Sequence, residues 1–299
     1  MRNPYRRTDI FRCRHESHAR FGYRVSSYHV LRAKRCYPSG CVAYHWFCHR
    51  FAKGMSCVRG FHRVGRLCFG CTHYRDTRMH YQPEVVIPHE EFLRFLDEVQ
   101  EFEEWLSECR YSRLEILATV ARIQPRLIKI REKSGARLVL GGYIVRLEEA
   151  FLGRTPFEDP VYLELGAHLL RRFGLGQGIR IEFQANLRLS DGRLHLFAPS
   201  RMEVVERSEH AVAAVEDAEA LLGRLVATRV PEGVERCLSC PRATLVEVEV
   251  RGGRAKGPRR ELYCLEGIQE HALCVLPILD RLREELVDFE LCGDGEVLG

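Results

Sequence analysis

The stretch IRIEFQANLRLSDGRLHLFAPSRMEVVER, residues 179–207, decides much of the fold because its apolar and polar side chains alternate. Apolar residues occupy every second position from Ile181 to Leu189, which is the period of a β-strand with one buried face. Asp191-Gly192 interrupts the alternation, and this dipeptide is typical of the two-residue turn of a β-hairpin. The stretch therefore predicts two antiparallel strands.

Two further strands are predicted upstream, in RLVLGGYIVRLEEAF (137–151) and PVYLEL (160–165), with a short helix in GAHLLRRFG (166–174). Gly141-Gly142 predicts a bulge or a sharp bend within the first of these strands. Four or five curled strands with one interposed helix resemble an OB-fold. The resemblance covers residues 136–207 and implies a small OB-like β-barrel.

Residues 88–134 are predicted to form a helical hairpin. Pro88 suits the first helical position, and apolar residues then recur at three- or four-residue steps from Phe92 to Cys109. Ser112 and Glu115 have the spacing of a capping box that opens a second helix, in which a similar stripe continues.

The two ends of the chain complete a four-part organisation of the α+β class. Residues 1–80 are rich in cysteine and histidine and predict a basic metal-binding module. Residues 208–299 predict a helix, a second metal-binding module with four cysteines, and a C-terminal helix around 276–291.

The C-terminal cysteines have the spacing of a metal site. Two of them form a Cys-x2-Cys turn, the predicted strands 244–250 and 260–264 bring the third, and the fourth begins the last helix. Four thiolates suit tetrahedral Zn²⁺ and can also hold an iron–sulfur cluster. The expected module is similar to a treble clef or a zinc ribbon, with His271 as an alternative ligand. The predicted ligands are Cys237, Cys240, Cys264 and Cys274.

The segment RCYPSGCVAYHWFCHRFAKGMSCVRGFHRVGRLCFGC, residues 35–71, holds six cysteines and three histidines. In one arrangement Cys36-x4-Cys41 and Cys68-x2-Cys71 are the two turns of a ribbon, and the other ligands form a second site. In the other, four of the cysteines hold one [4Fe–4S] cluster. Because so short and polar a segment has little to bury, metal binding is expected to supply its folding free energy. The candidate ligands are Cys36, Cys41, His45, Cys48, His49, Cys57, Cys68 and Cys71.

The other cysteines and the paired histidines give weaker evidence for metal binding. His45 and His49 are four residues apart, which would place them on one face of a helix. Cys13, Cys109 and Cys292 have no partners nearby in the sequence, and Cys109 falls on the apolar stripe.

Charge is distributed unevenly along the chain. Residues 1–80 contain 17 basic and 3 acidic residues, a net charge of +14, whereas the rest contains 29 basic and 38 acidic residues, a net charge of −9. Arginines interleaved with aromatic residues favour nucleic acid, since the former contact phosphates and the latter stack on bases. Alternatively, the arginines solvate a small module and offset its thiolates. The candidate nucleic-acid-binding residues are Arg32, Lys34, Arg35, Trp46, Arg50, Lys53, Arg59, Arg63 and Arg66.

Three functions remain open from the sequence. The first is a metal-binding, non-catalytic protein that binds nucleic acid through its N-terminal module and its barrel, although residues 136–206 are balanced at nine basic and nine acidic residues. The second is an iron–sulfur electron-transfer or redox-sensing subunit of a larger complex, although no Cys-x2-Cys-x2-Cys run is present. The third is a structural adaptor that binds protein partners.

Several other classes lack support in the sequence. There is no Walker lysine, nucleophile elbow or His-Glu-x-x-His motif, and GLGQG (174–178) lacks the spacing of a phosphate-binding loop. No catalytic residue or small-molecule substrate is therefore predicted. No stretch approaches the roughly 20 apolar residues of a membrane span. The N-terminal residues lack the apolar run of a secretory signal, so reduced cysteines and a cytoplasmic location are expected.

Overall fold

The computed structural model describes residues 1–110, 112–132, 135–207, 227–231, 237, 240, 242–250 and 259–275. The chain divides into two compact units. The first contains Met1–Arg110 and Leu189–Arg193, and the second contains Tyr111–Arg188 and Leu194–Gly299.

The first unit combines two small antiparallel sheets with one long helix. Its first sheet has the strand order β2-β1-β5, and its second pairs β3 with β4. The strands are β1 (Phe11–Arg12), β2 (Arg24–Val25), β3 (Cys41–Cys48), β4 (Tyr74–Tyr81) and β5 (Glu84–Val85), and the helices are α1 (His49–Ala52) and α2 (His89–Cys109).

Helix α2 confirms the first half of the predicted helical hairpin. It begins directly after Pro88, and Glu90 and Glu91 in its first turn face the positive end of the helix dipole. Its apolar side packs into the core of the first unit, in a cluster with Ile10, Phe11 and other side chains. The buried residues of the helix are Phe92, Phe95, Phe102, Leu106 and Cys109.

The second unit is built on a nine-stranded mixed sheet. The strand order is β12-β14-β13-β6-β10-β11-β9-β7-β8, and β6 also pairs with β7. The β9–β11 and β6–β13 pairs are parallel. The elements are β6 (Leu114–Glu132), β7 (Gly135–Leu152), β8 (Thr155–Phe157), β9 (Val161–Leu165), α3 (Ala167–Phe173), β10 (Arg180–Ser190), β11 (Arg193–Glu206), β12 (Thr228–Arg229), β13 (Ala243–Val250) and β14 (Arg259–Cys264).

The alternation around the Asp191-Gly192 turn correctly predicts β10 and β11. Ile181, Phe183 and Ala185 are each no more than 1% exposed, whereas Glu182 between them is exposed. The two turn residues have φ angles of +50° and +76°, as the expected hairpin turn requires. The hairpin therefore follows directly from its local sequence.

The second half of the predicted helical hairpin is wrong, because residues 114–132 form strand β6. Ile116, Ala118 and Val120 are fully buried at alternate positions, which is the period of a strand. Pro125 has no amide hydrogen and would interrupt a helix, but it fits opposite Tyr143 beside a register shift between β6 and β7.

The predicted small OB-like barrel is also wrong. The strands predicted in residues 136–207 form, but they belong to the nine-stranded sheet, which includes β6 before them and β12 to β14 after them. The predicted β13–β14 hairpin forms, yet it joins the same sheet through β6 and β12. A separate treble-clef-like or zinc-ribbon-like module is therefore not formed by the described residues. The chain is mostly β rather than α+β, and α2, with 21 residues, is the longest helix among the described residues.

Two predicted helices lie outside the described residues, namely the one that follows Ser208 and the one around 276–291. In the part of the chain that the structure describes, no helix has the length and apolarity needed to cross a membrane.

The Gly141-Gly142 pair lies at an irregularity of β7, as predicted. The β6–β7 register shifts between Pro125 and Leu127, opposite these glycines. Gly142 has a φ of +111°, and a Cβ built there would lie 2.6 Å from the carbonyl oxygen of Leu165 on β9. Only glycine fits this position, because both the conformation and the close approach exclude a side chain.

We expect the substitution Gly142→Ala to lower the free energy of unfolding by about 3 kcal/mol, since the new methyl group must displace the backbone of β9. The matched control is Gly153→Ala, where φ is +62° but no atom lies within 4 Å of the added Cβ. Its expected cost is about 1 kcal/mol. Urea unfolding followed by circular dichroism measures both free energies of unfolding. Equal losses in the two variants would show that the nearby carbonyl oxygen of Leu165 adds nothing to the cost at Gly142.

Candidate metal and nucleic-acid-binding site

The segment of residues 41–81, here called the cysteine hairpin, has an unusual construction. Strands β3 and β4 pair in register from Cys41 opposite Tyr81 to Cys48 opposite Tyr74. Residues 49–73 connect the paired strands, which is a long connection for a hairpin. No residue from 41 to 81 is buried. Hydrophobic burial alone therefore gives this segment little stability.

Four cysteines of the hairpin line one small pocket. The aromatic rings and the arginine that complete the lining come from the same segment. The lining residues are Cys48, Phe51, Cys57, Arg59, Phe61, Cys68, Cys71 and Tyr74. Soft ligands from distant positions in the sequence thus meet at one place.

Local backbone structure positions each of these cysteines. Cys48 is the last residue of β3, and its register partner is Tyr74. Cys68 ends a short 3₁₀ helix, and its carbonyl oxygen accepts a hydrogen bond from the amide of Cys71 at 3.0 Å. The predicted Cys-x2-Cys turn is therefore present. Cys57 lies in another tight turn, where its carbonyl oxygen accepts from the amide of Gly60 at 3.1 Å.

Two backbone amides interact with the Cys57 sulfur. The amide of Arg59 donates to its Sγ at 3.4 Å. Hydrogen bonds from the amides of Arg59 and Phe61 lower the pKa of the Cys57 thiol. Such bonds stabilise a thiolate, the form of cysteine that binds metals. The hydroxyl of Tyr74, another residue of the pocket lining, is buried without a hydrogen-bond partner.

Among the residues that the structure describes, no group of three or more Cys, His, Asp or Glu side chains is arranged to hold a metal ion as it stands. The described residues therefore do not show either of the two predicted metal modules as an assembled metal site. The four cysteines share a pocket lining without converging on one point. Metal binding at this pocket would require their side chains to move towards each other.

The structure groups the predicted N-terminal ligands differently from the sequence analysis. Cys36 and Cys41 do not line the pocket; they pack against the buried cluster around Phe11. His45 and His49 do not share a helix face, because His45 lies in β3 and His49 begins α1. The register of β3 with β4 places Cys48 opposite Tyr74, three residues after Cys71 of the Cys-x2-Cys turn.

The C-terminal cysteines come together in part. Cys237 and Cys264 are buried in one cluster with Val230. Cys240 accepts a hydrogen bond through its carbonyl oxygen from the amide of Ala243 at 3.1 Å, and Ala243 pairs with Cys264 across the β13–β14 hairpin. Cys274 follows the 3₁₀ turn His271–Leu273 rather than lying in a helix, as far as the described residues extend. His271 Nε2 lies 3.3 Å from the hydroxyl of Thr228.

Some of the predicted nucleic-acid-binding residues already have partners within the first unit. Arg32 forms an ion pair with Glu103 of α2. Arg50 and Arg59 donate hydrogen bonds to carbonyl oxygens of the cysteine hairpin, at 2.8 and 2.9 Å. The other predicted residues are exposed, namely Lys34, Arg35, Trp46, Lys53, Arg63 and Arg66.

One face of the β3–β4 pair presents exposed aromatic side chains beside basic ones. Tyr44 is 57% exposed and Trp46 is 38% exposed, and they lie on the same face because they are two residues apart on β3. Phe69 is 54% exposed, and its ring lies 5.5 Å from that of Trp46. Arg78 is exposed and pairs directly with Tyr44. Tyr44, Trp46 and Phe69 belong to the aromatic residues that the sequence interleaves with arginines, whereas the position of Arg78 beside them needed the strand register.

The charge of the first unit is concentrated at the cysteine hairpin. Residues 1–110 contain 19 basic and 12 acidic residues, because α2 is strongly acidic and lowers the net charge to +7. Ion pairs join this helix to Arg7 and Arg32. Residues 41–81 contain seven basic residues and only Asp76 as an acidic one, a net charge of +6. Most of the net positive charge of residues 1–110 therefore lies on the cysteine hairpin, because basic and acidic residues nearly balance in the remainder.

Comparisons with known proteins identify no relative of this chain. No family model, no curated protein and no solved structure matches it. The interpretation of the site depends on its geometry and charge.

Proposed function

We propose that this protein is a non-catalytic metal-binding protein that binds single-stranded nucleic acid through its cysteine hairpin. The observation that carries the proposal is that residues 41–81 contain no buried residue while four of their cysteines line one pocket. A bound ion would hold this segment together. The exposed face of the ordered segment would then contact the nucleic acid.

The metal is proposed to be Zn²⁺, bound by the thiolates of Cys48, Cys57, Cys68 and Cys71. Four thiolates satisfy tetrahedral Zn²⁺, Cys68 and Cys71 have the Cys-x2-Cys spacing of zinc sites, and Cys57 lies in a second tight turn. A [4Fe–4S] cluster is the alternative occupant of the same four cysteines. Elemental analysis of anaerobically purified protein decides between them, since zinc gives colourless protein and the cluster gives brown protein with iron and sulfide.

The nucleic-acid contact is proposed for the face that contains Tyr44, Trp46, Phe69 and Arg78. Exposed aromatic rings stack on unpaired bases, and arginines bind the phosphates between them. Base stacking needs single strands, because paired bases do not present their faces to a protein. The net charge of +6 on the segment favours a polyanion over an acidic peptide of mixed sequence.

Fluorescence anisotropy with an oligothymidine of about 20 nucleotides tests the contact. We expect Tyr44→Ala combined with Arg78→Ala to raise the Kd about tenfold or more, since each stacked base contributes roughly 1–3 kcal/mol. The matched control combines Phe151→Ala and Arg154→Ala, which removes an exposed aromatic residue and an exposed arginine from the second unit. That variant should bind like the unsubstituted protein.

Binding should also weaken as salt rises, because each phosphate contact releases counterions. Absence of binding at low salt by metal-loaded protein would overturn the proposed nucleic-acid contact. Equal losses in the hairpin variant and the control variant would show that the contact lies elsewhere. The same double substitution should leave the metal content unchanged, because neither residue lines the pocket.

A further inference from the structure

The loop of residues 14–22, here called the histidine loop, connects β1 to β2 in the first unit. Its ends are fixed, because β1 pairs with β2 and the amide of Cys13 donates to the carbonyl oxygen of Tyr23 at 2.9 Å. Within residues 14–19, 21 and 22, His15 and His18 are partly buried and the others are exposed. Among the described side chains of the loop, burial is therefore confined to two imidazole rings.

His15 caps the 3₁₀ helix Glu16–Phe21 inside this loop. Its Nδ1 accepts a hydrogen bond from the amide of Ser17 at 3.1 Å and lies 2.9 Å from the hydroxyl oxygen of the same residue. Only an unprotonated ring nitrogen can accept this bond, because both nitrogens of an imidazolium carry hydrogen. The ring of His15 also packs on that of Tyr81, the last residue of β4, with the centroids 4.7 Å apart. Protonation of His15 at Nδ1 therefore removes the cap.

His18 lies between two other imidazole rings. Its ring centroid is 5.7 Å from that of His15 and 5.0 Å from that of His29, which begins the π-helical turn His29–Ala33. The rings of His18 and His29 meet edge to face, at an interplanar angle of 85°. This packing suits neutral aromatic rings, whereas two imidazolium rings at the same distance repel each other. The contact between the loop and the turn therefore favours uncharged histidines.

Burial and neighbouring positive charge both oppose protonation at this contact. Burial lowers the pKa of His18, and positive charge on His15 and Lys34 lowers it further. The pKa of His29 is also lowered, first by burial and then by His18, Lys34 and His15. Histidines with a lowered pKa stabilise the attached loop above the ordinary value of about 6.5. This stabilisation is lost as the pH falls through the values in the folded protein.

Two carboxylates near the loop do not reverse this effect. Glu16 Oε1 lies 3.9 Å from His45 Nδ1 of β3, and the Glu16 side chain is 75% exposed. Glu84 of β5 pairs with Arg14 at 3.7 Å, and both of these side chains are more than half exposed. Exposed pairs of this kind contribute little, because water screens them. Neither pair includes one of the three clustered histidines.

We propose that His15, His18 and His29 form a pH-sensitive latch, which holds the histidine loop in place near neutral pH and releases it on acidification. Protonation of His15 ends its acceptance from the Ser17 amide, and protonation of the other two places positive charge on adjacent rings. Because His15 packs on Tyr81, release uncovers that ring at the end of the cysteine hairpin. None of the three histidines lines the cysteine pocket, so the latch does not depend on the proposed metal or nucleic-acid binding.

Hydrogen exchange of the metal-loaded full-length protein tests the latch. After correction for intrinsic exchange rates, peptides that cover residues 14–22 should lose protection between pH 7.5 and pH 5.5. The expected loss is up to about tenfold for each histidine that is protonated only in the released loop. Peptides that cover β10 and β11 should keep their protection, which separates release of the loop from global unfolding. Equal protection of the loop at the two pH values would overturn the proposal.

The double variant His15→Asn/His18→Phe removes both titrating groups of the loop. Asparagine is a good N-cap at any pH, and phenylalanine keeps an aromatic ring beside His29 without a charge. The loop of this variant should stay protected at pH 5.5. The matched control is His168→Phe, which replaces an exposed histidine of α3 and should keep the full pH response. A full response in the double variant, or its loss in the control, would overturn the assignment to the latch.

Proton NMR of the imidazole resonances gives a test that requires no substitution in the loop. In the unsubstituted protein, His18 and His29 should titrate below the ordinary histidine value of about 6.5. The amide resonances of the loop should change over the same pH range, since release accompanies protonation. Titration of both rings at the ordinary value would contradict the latch.

Discussion

Replacing Cys68 by serine is expected to remove one metal ion per chain and to unfold the cysteine hairpin while leaving the second unit folded. The reason is that no residue from 41 to 81 is buried, so the hairpin has little hydrophobic stabilisation of its own. The proposed zinc ion would supply about 10 kcal/mol or more at neutral pH, which is as large as the stability of many whole domains. Losing this contribution leaves the β3–β4 backbone hydrogen bonds exposed to water.

Hydrogen exchange measured by mass spectrometry separates local from global unfolding. In Cys68→Ser, peptides that cover residues 41–81 should exchange rapidly, and peptides that cover β10 and β11 should keep their protection. Chelation of the unsubstituted protein should give the same pattern. Cys109→Ser is the control, since it removes another cysteine thiol of the same unit from a helix rather than from the pocket. Unchanged protection of residues 41–81 after complete metal removal would contradict the role of the ion.

Local patterns in the sequence predict the elements whose neighbours in the chain are also their partners. The β10–β11 hairpin, α2 and the β13–β14 hairpin follow from alternation, a turn dipeptide or an apolar stripe. Strand β6 does not, because LEILATVARIQPRLIKI contains apolar residues at both two-residue and three- or four-residue steps. Pairing with β7 and β10 selects the strand, and both partners lie further along the chain.

Local sequence patterns likewise do not predict which cysteines come together at the candidate site. The Cys68-x2-Cys71 turn is visible in the sequence, but its association with Cys48 depends on the register of β3 with β4. Cys13 has no cysteine neighbour within twenty residues, yet it lies in the same buried cluster as Cys36. Composition therefore predicts that cysteines form clusters, whereas the grouping into clusters requires the tertiary structure.

Glu261 is a buried acidic residue at the edge of the nine-stranded sheet that contains β12, β14 and β13. Its side chain on β14 is 3% exposed and accepts from Lys129 Nζ at 2.9 Å and from Arg131 at 2.6 Å, both on β6. Arg229 on β12 lies 3.6 Å away. One carboxylate thus joins three strands. The Lys129 side chain is only 16% exposed, so its ammonium group has little contact with water.

We expect Glu261→Gln to lower the free energy of unfolding of the second unit by about 3–5 kcal/mol, because it leaves buried positive charge without its counter-ion. The matched control is Glu247→Gln, which breaks the ion pair with Arg126 at 2.8 Å, where both side chains are about one third exposed. Its cost should stay below about 1 kcal/mol. Urea unfolding at pH 7 compares the two variants, and similar losses would contradict the special role of Glu261.

The effect of Glu261→Gln on the free energy of unfolding should depend on pH. Burial acts to raise the pKa of Glu261, but the ion pairs with Lys129, Arg131 and Arg229 outweigh it, so that the pKa is lowered. A carboxyl group with a lowered pKa stabilises the folded state above the pKa of the unfolded chain, about 4.3, and this stabilisation is lost as the pH falls through the folded value. The stability difference between unsubstituted protein and Glu261→Gln should therefore be constant from about pH 6 to pH 8 and should shrink below about pH 4. A difference that persists undiminished at lower pH would show that glutamine disturbs the packing of β14 rather than the charge balance.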